Sequence, residues 1–317
     1  MVETGNSLII PVYRNADTAD ALVTALQQLA IRLGGDLEVV LVVDGSPDDS
    51  LGLLGDLLGK AGLRAQLLAH SRNFGSFAAI RTGLAAARGK RFAVMAADLQ
   101  EPPELVLSFF EALKGGEADL VCGTRRDRDD PSGSKLAAQT FWRLYRLLVQ
   151  PEVPAGGVDM FGCNLAVRDA LLAMEESHSS LIGQLFWLGF RRKEIPYERR
   201  ARAGNGVSGW TFRKKWKYML DSVFSFTDLP MRLLSAVGFW GIGLSILVSA
   251  GVGIGWLAGW ISVLGYTPIM LMLAFSTSVN LLAVGILGSY VWRTFENTKR
   301  RPLSVLMSRR EFHPESV

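Results

Sequence analysis

Ala93-Val94-Met95-Ala96-Ala97-Asp98-Leu99-Gln100-Glu101-Pro102-Pro103 decides how the chain is read. A short apolar run ends abruptly in a carboxylate, an amide and two prolines. The run reads as a buried strand, and the prolines turn the chain out of it and open a helix at Glu104. Asp98 and Gln100 are then expected at the carboxyl end of a strand, where open α/β sheets hold ligands. Both are hard oxygen donors suited to Mg²⁺ or Mn²⁺ shared with substrate phosphates. A solvated carboxylate after a strand is the plainer reading of Asp98. The neighbouring segments decide between the two.

The same strand-then-helix pattern repeats on both sides. Ser7–Tyr13 is a β-rich run, followed by a helix that Asp17 or Thr18 caps and Gly34-Gly35 stops. Leu37–Val43 is almost wholly apolar, as expected of a strand covered on both faces. It ends in the turn Asp44-Gly45-Ser46-Pro47-Asp48-Asp49-Ser50. A strand at Ala65–Ala69 precedes Arg72-Asn73-Phe74-Gly75 and a helix to Ala87, and Asp119–Gly123 reads as a fifth strand. This alternation predicts a mostly parallel α/β sheet built of βαβ units. Asp44 and Asp98 then share one sheet edge. Asp44 could accept from a ribose or a base N–H. No G-x-G-x-x-G opens the first turn, which disfavours a dinucleotide fold.

Arg125–Gly133 reads as a loop, either plainly solvated or an arginine lid that meets phosphates bidentately. A helix is expected over Lys135–Val149. Gly157–Val167 is strand-like with Asp159 as its only charge, so Asp159 is either structurally bonded or catalytic. Helices near Arg168–Met174 and Ser180–Leu188 and a strand at Arg192–Tyr197 follow. Next come three arginines, a glycine-rich loop to Trp210, and a helix to Phe226 that mixes bases with aromatics. That composition suits a lipid headgroup layer.

The 317 residues are 49% hydrophobic, and the cause is local: from Leu233 to Trp292 there is no Asp, Glu, Lys or Arg. This stretch is long enough for two membrane spans and a turn, Leu233–Ile261 and Tyr266–Trp292. Bases flank it on both outer sides and the link carries no charge, so the positive-inside rule puts both termini in the cytoplasm. Gly251, Gly255 and Gly259 recur every fourth residue, a surface for close helix contact within the hairpin or between subunits. Asn280 is expected to bond a neighbouring helix. Met1–Asn6 lacks an apolar core, so no export signal is expected there. Cys122 and Cys163 are expected to be reduced and buried. The net charge of +4, with its bases beside the apolar region, favours a membrane over nucleic acid as partner.

Taken together, these residues resemble family 2, GT-A fold polyprenyl-phosphate glycosyltransferases along essentially the whole chain. Pro11-Val12-Tyr13 resembles that family's P-x-Y-N-E, and Asp44-Gly45-Ser46-Pro47-Asp48 its D-D-G-S-x-D. Asn73-Phe74-Gly75 with Ala78, Ala79 and Gly83 resembles its N-x-G…A…G-L. Asp98-Leu99-Gln100-Glu101-Pro102-Pro103 resembles its D-A-D-L-Q-x-P-P. Arg202, Gly206, Ser208 and Trp210 resemble its acceptor loop, and Tyr290, Arg293, Lys299, Arg301 and Pro302 its tail pattern. Ala96 and Val43 replace the first acids of D-x-D and D-D-G-S. Arg14-Asn15 replaces Asn-Glu, and Gly209 a lysine.

The resemblance implies a nucleotide-sugar site, for a UDP-hexose, at Pro11, Tyr13, Asp44, Arg72, Asn73, Gly75, Asp98 and Gln100. Asp98 and Gln100 would hold Mg²⁺ or Mn²⁺, and Asp98 and Asp159 would be catalytic, Asp159 as a base or an orienting group. Arg125, Arg200, Arg202 and Ser208 would meet the phosphate of an undecaprenyl-type acceptor. The expected units are a catalytic domain (1–207), interface helices (208–231), two spans (232–293) and a basic tail (294–317). The expected site of action is the cytoplasmic face of a bacterial inner membrane, with a homo-oligomer permitted. Ala96 and Val43 motivate one alternative, a catalytically weak, membrane-anchored nucleotide-sugar-binding scaffold of the same fold.

Overall fold

The computed structural model describes residues 5–125, 143, 146, 152–154, 158, 160–176, 179–198, 220–227, 229–260 and 266–314. Eight strands form one sheet in the order β7-β5-β6-β4-β1-β2-β3-β8. They are β1 (Asn6–Val12), β2 (Glu38–Val43), β3 (Ala65–His70), β4 (Arg91–Val94), β5 (Leu120–Arg125), β6 (Met160–Asn164), β7 (Arg192–Tyr197) and β8 (Leu306–Phe312). The helices α1 (Ala19–Arg32), α2 (Ser50–Lys60), α3 (Ser76–Ala86) and α4 (Glu104–Lys114) return the chain between successive parallel strands. After β6 come α5 (Leu165–Leu172) and α6 (Leu181–Trp187).

Both faces of the sheet are covered. Leu8, Ile10, Val39 and Leu41 point to a core shared with α1, α2 and α4. The alternate residues Ile9, Val40 and Val42 point to a second core with α3, α5 and α6. This is why β2 is wholly buried and reads as an unbroken apolar run after Glu38. Glu38 itself is buried, and its carboxylate accepts from the Ser7 hydroxyl (2.7 Å), the Arg88 N–H (2.7 Å) and the Gln66 amide (2.8 Å).

Three local results differ from the sequence reading. β4 ends at Val94 and not at Ala97, because past Met95, whose N–H still bonds the Ile9 carbonyl, the chain turns towards Asp98. The segment read as a basic tail contributes β8, which pairs antiparallel with β3 at the sheet edge. Asn280 donates to the Ser276 carbonyl of its own helix and not to a neighbour; the carbonyl one turn back is the nearest acceptor in an apolar stretch. The expected helix over Lys135–Val149 lies outside the described residues, apart from two positions.

Two long helices follow β7, α7 (Leu229–Leu257) and α8 (Tyr266–Thr298). Both present large exposed apolar side chains, including Phe239, Trp240, Leu247, Phe275 and Val291. Among the described residues one helical stretch, Phe275–Thr298, is long and apolar enough to cross a membrane. Gly259, at φ +72°, closes α7 in a Schellman cap, with the Trp260 N–H bonded to the Gly255 carbonyl. A Cβ at Gly251 would meet nothing within 4 Å among the described residues. A helical stretch at 220–226 joins the two parts. Phe226 lies against Gly183 of α6, and Asp221 accepts from Arg293 of α8 at 2.7 Å.

Phe109 shows how α4 seats on the sheet. The ring is fully buried over two glycines: a Cβ at Gly162 would stand 3.1 Å from its Cβ, and one at Gly123 3.3 Å from its Cζ. Phe109→Ala is expected to cost about 3–5 kcal/mol of stability, read as a lowered denaturation midpoint of the detergent-solubilised chain. A loss under about 1 kcal/mol would contradict this packing.

Candidate active site

β2, β1 and β4 are adjacent and parallel, so their carboxyl ends open on one edge of the sheet. Each end turns differently. After β1, Tyr13 is exposed and Arg14 takes φ +57°. The Arg14 N–H donates to the Ser46 hydroxyl at 2.8 Å, and the Asn15 N–H to the Ser50 hydroxyl at 3.1 Å. Asp48 ties these turns together, accepting from the Ala16 N–H (3.1 Å) and from the hydroxyls of Ser46 (2.5 Å) and Ser50 (2.7 Å). Its partial burial would raise its pKa, but the two hydroxyls and the Ala16 N–H outweigh this and hold it below the usual carboxylate range.

Asp44 follows β2 and is 2% exposed. Its Oδ1 accepts from the Phe74 N–H (2.8 Å) and meets His70 Nδ1 (2.8 Å), while its Oδ2 accepts from the Gly75 N–H (2.7 Å). The Asn73 side-chain amide donates to the Asp44 carbonyl at 3.2 Å. Burial pushes the Asp44 pKa up, yet His70 and the two backbone donors outweigh it and the net shift is downward. Asp44 therefore holds the loop from Arg72 to Gly75, and Arg72 and Asn73 stand exposed on that loop. The Arg72 guanidinium lies 3.9 Å from the centroid of the Phe74 ring. Gly45 has φ +55°, and a Cβ there would overlap the Arg72–Asn73 peptide, so only glycine allows this approach.

On the other side of β1, Leu99 adopts φ +53°, a region that costs a branched side chain about 1–2 kcal/mol. That turn places Asp98 and Gln100 together, both half-buried, with the Gln100 N–H reaching Asp98 Oδ1 at 3.4 Å. Among the described residues no group of three or more His, Cys, Asp or Glu could hold a metal ion. A carboxylate and an amide oxygen do fit a Mg²⁺ or Mn²⁺ that takes its other ligands from water and phosphate.

β5 runs parallel to β7 and antiparallel to β6, which is itself antiparallel to β4. Arg125 thus ends β5 at the same edge as Asp44 and Asp98. Pro11 lies within β1 and pairs with Val42. Asp159, Arg200, Arg202 and Ser208 lie outside the described residues. His70 is a residue of the candidate site that the sequence reading does not single out, and Asp48 is legible there only as the last acid of the stretch resembling D-D-G-S-x-D. Cys122 and Cys163 are buried and unpaired, as expected, and burial pushes both thiols up to about 12.

A doubly wound α/β sheet with polar turns gathered at its carboxyl edge puts the candidate ligand site at that edge. The description of glycosyl transferase family 2 matches residues 7–173. The putative glycosyltransferase CsbB of Bacillus subtilis is 32% identical, over 93% of this chain and 89% of that protein. The bactoprenol glucosyl transferase of Shigella phage SfV is 26% identical, over 96% of this chain and 99% of that protein. Among solved structures, mannosyl-3-phosphoglycerate synthase from Rubrobacter xylanophilus aligns with a TM-score of 0.48 and 16% identity, covering 74% of this chain and 75% of that one. The chain belongs to glycosyl transferase family 2 and is a glycosyltransferase.

The folded-state pKa of Asp44 lies below the value of about 4 expected in the unfolded chain. Its carboxylate therefore contributes stability above about pH 4, and that contribution is lost as pH falls through the folded pKa. Asp44→Asn is expected to lower the thermal midpoint at neutral pH and to converge on the wild type as the pH drops below about 4. A difference that stays constant through that window would contradict the assignment.

Proposed function

We propose that the chain transfers a hexosyl group from a UDP-sugar to a polyprenyl phosphate of the undecaprenyl type, at the cytoplasmic face of a bacterial membrane, with inversion at the anomeric carbon. The extent of the match to the phage bactoprenol glucosyl transferase carries this reading. At 96% of this chain and 99% of that one, it runs through the apolar helices and well beyond the family match at residues 7–173.

In this reading the donor lies across the carboxyl ends of β2, β1 and β4. Tyr13, Arg72 and Asn73 meet the nucleotide from the loops that Asp44 and Asp48 hold. Pro11 and Gly75 shape the floor and rim. The Asp98 carboxylate and the Gln100 amide oxygen hold the divalent ion, which when bound offsets the charge gathering on the leaving diphosphate.

The acceptor phosphate is already ionised at neutral pH, so little proton has to be removed. The task is to bring two anions together. Arg125, Arg200 and Arg202 serve as fixed counter-charges, with Ser208 as a hydroxyl donor. Asp159 stands near the reacting sugar as a base or an orienting group.

The hairpin α7–α8 spans the bilayer twice, within units 208–231, 232–293 and 294–317. Pairing of β8 with β3 supports an even number of crossings, because both ends of the apolar region then belong to one sheet. The bases Arg232, Arg293, Lys299, Arg300 and Arg301 support a cytoplasmic location for that sheet. The open face at Gly251 leaves room for a second copy and hence a homo-oligomer. Ala96, where an acid would complete D-x-D, favours the one competing reading, a scaffold that binds donor and transfers nothing.

Purified full-length chain, incubated with a panel of UDP-sugars, Mg²⁺ or Mn²⁺ and a polyprenyl phosphate, is expected to yield a glycosyl phospholipid by mass spectrometry. Chelation should stop turnover and added Mn²⁺ restore it. Asp98→Asn should lower kcat by about 10²-fold or more with the thermal midpoint unchanged. Donor binding without product from any sugar would support the scaffold instead.

A further inference from the structure

His70 is buried at the end of β3, and its side chain does more than touch Asp44. Its Nδ1 lies 2.8 Å from Asp44 Oδ1, and its Nε2 lies 2.9 Å from the Thr82 hydroxyl of α3. The Thr82 hydroxyl lies 2.8 Å from the hydroxyl of Ser304. Four side chains, from the turn after β2, from β3, from α3 and from the segment before β8, therefore form one unbroken hydrogen-bond chain.

The roles along it follow from the acceptor at its head. An ionised carboxylate only accepts, so His70 Nδ1 carries a proton and donates to Asp44. With a neutral ring, Nε2 accepts from Thr82, whose oxygen accepts from Ser304. With a charged ring, Nε2 donates to Thr82, whose proton turns to Ser304. Every member has a partner in either state.

A backbone bond reinforces the connection: the Ser71 N–H donates to the Val305 carbonyl at 3.0 Å, and the strand register shifts between Ala69 and His70. Ser304 lies six residues past the end of α8 at Thr298. The segment leaving α8 is thus bonded, at side chain and backbone, to the residues that start the Arg72–Gly75 loop.

We infer that His70 and Ser304 are positioning residues for donor binding: acting through Asp44, they hold the loop that meets the nucleotide, and so make the segment that leaves the membrane helix part of the donor site. This rests on the reading that the Arg72–Gly75 loop binds a UDP-sugar. It goes beyond that reading in naming two residues, one of them more than two hundred positions away in sequence, that touch no substrate.

The experiment is titration calorimetry of UDP with Mn²⁺ into the full chain in detergent. The variants are His70→Phe, Ser304→Ala, Ser304→Thr, Asp44→Asn and the pair His70→Phe with Asp44→Asn. Phenylalanine keeps the edge-on ring contact with Phe74 and loses both ring nitrogens. His70→Phe is expected to weaken UDP binding about tenfold, Ser304→Ala about twofold to threefold, and Ser304→Thr, which keeps the hydroxyl, should bind as wild type does. The double variant should bind no more weakly than Asp44→Asn alone, because His70 acts through that carboxylate. Lowered thermal midpoints with UDP affinity unchanged in His70→Phe and Ser304→Ala would overturn the inference, as would fully additive losses in the pair. A wild-type chain that binds no UDP would overturn the functional reading beneath it, a distinct outcome from bound wild type with unaffected variants.

Discussion

The Asp44 carboxylate sits almost out of reach of water and accepts from His70 and from two backbone N–H groups. Burying a charge is costly unless each lone pair is met. Here the donors come from the β3 end and the β3–α3 turn, so meeting that requirement fixes the position of the Arg72–Gly75 loop against β2. The downward shift of the Asp44 pKa is the electrostatic record of the same contacts. The Arg72–Gly75 side of the candidate site thus rests on a residue with little surface of its own to offer a ligand.

The opposite side of β1 uses strain instead. Leu99 is held at positive φ, and this sets Asp98 and Gln100 on one turn. Arg14, also at positive φ, faces the same edge from β1. Non-glycine residues in this region persist where surrounding structure over-determines them, and such places cluster at functional sites. In both cases the sheet core beneath, with Phe109, Leu41 and Val40 fully buried, supplies the rigid base.

Much of this is legible in the sequence for a physical reason. The cores of β1 to β5 are short, mainly apolar runs, because strands covered on both faces bury most of their side chains. β8 escapes that logic. Leu306-Met307-Ser308-Arg309-Arg310-Glu311-Phe312 carries charges suited to an edge, and only its pairing with β3 makes it a strand. The position of Asp44 is legible from its strand end, but its burial is not, since its partners lie about thirty residues away. His70 has no local signal at all: it is a lone histidine closing an apolar strand until Asp44, Thr82 and Ser304 converge on it. Asn280 shows the converse, a polar residue in an apolar stretch that its own helix satisfies.

The central claim is that the carboxyl edge formed by β2, β1 and β4 is where donor and divalent ion meet. Anomalous diffraction from crystals of the full chain grown with Mn²⁺ and UDP tests it most directly. The expected result is a manganese peak within bonding distance of the Asp98 and Gln100 side chains, with the uridine against the Arg72–Gly75 loop. A metal and nucleotide bound together anywhere else on the chain would contradict the account.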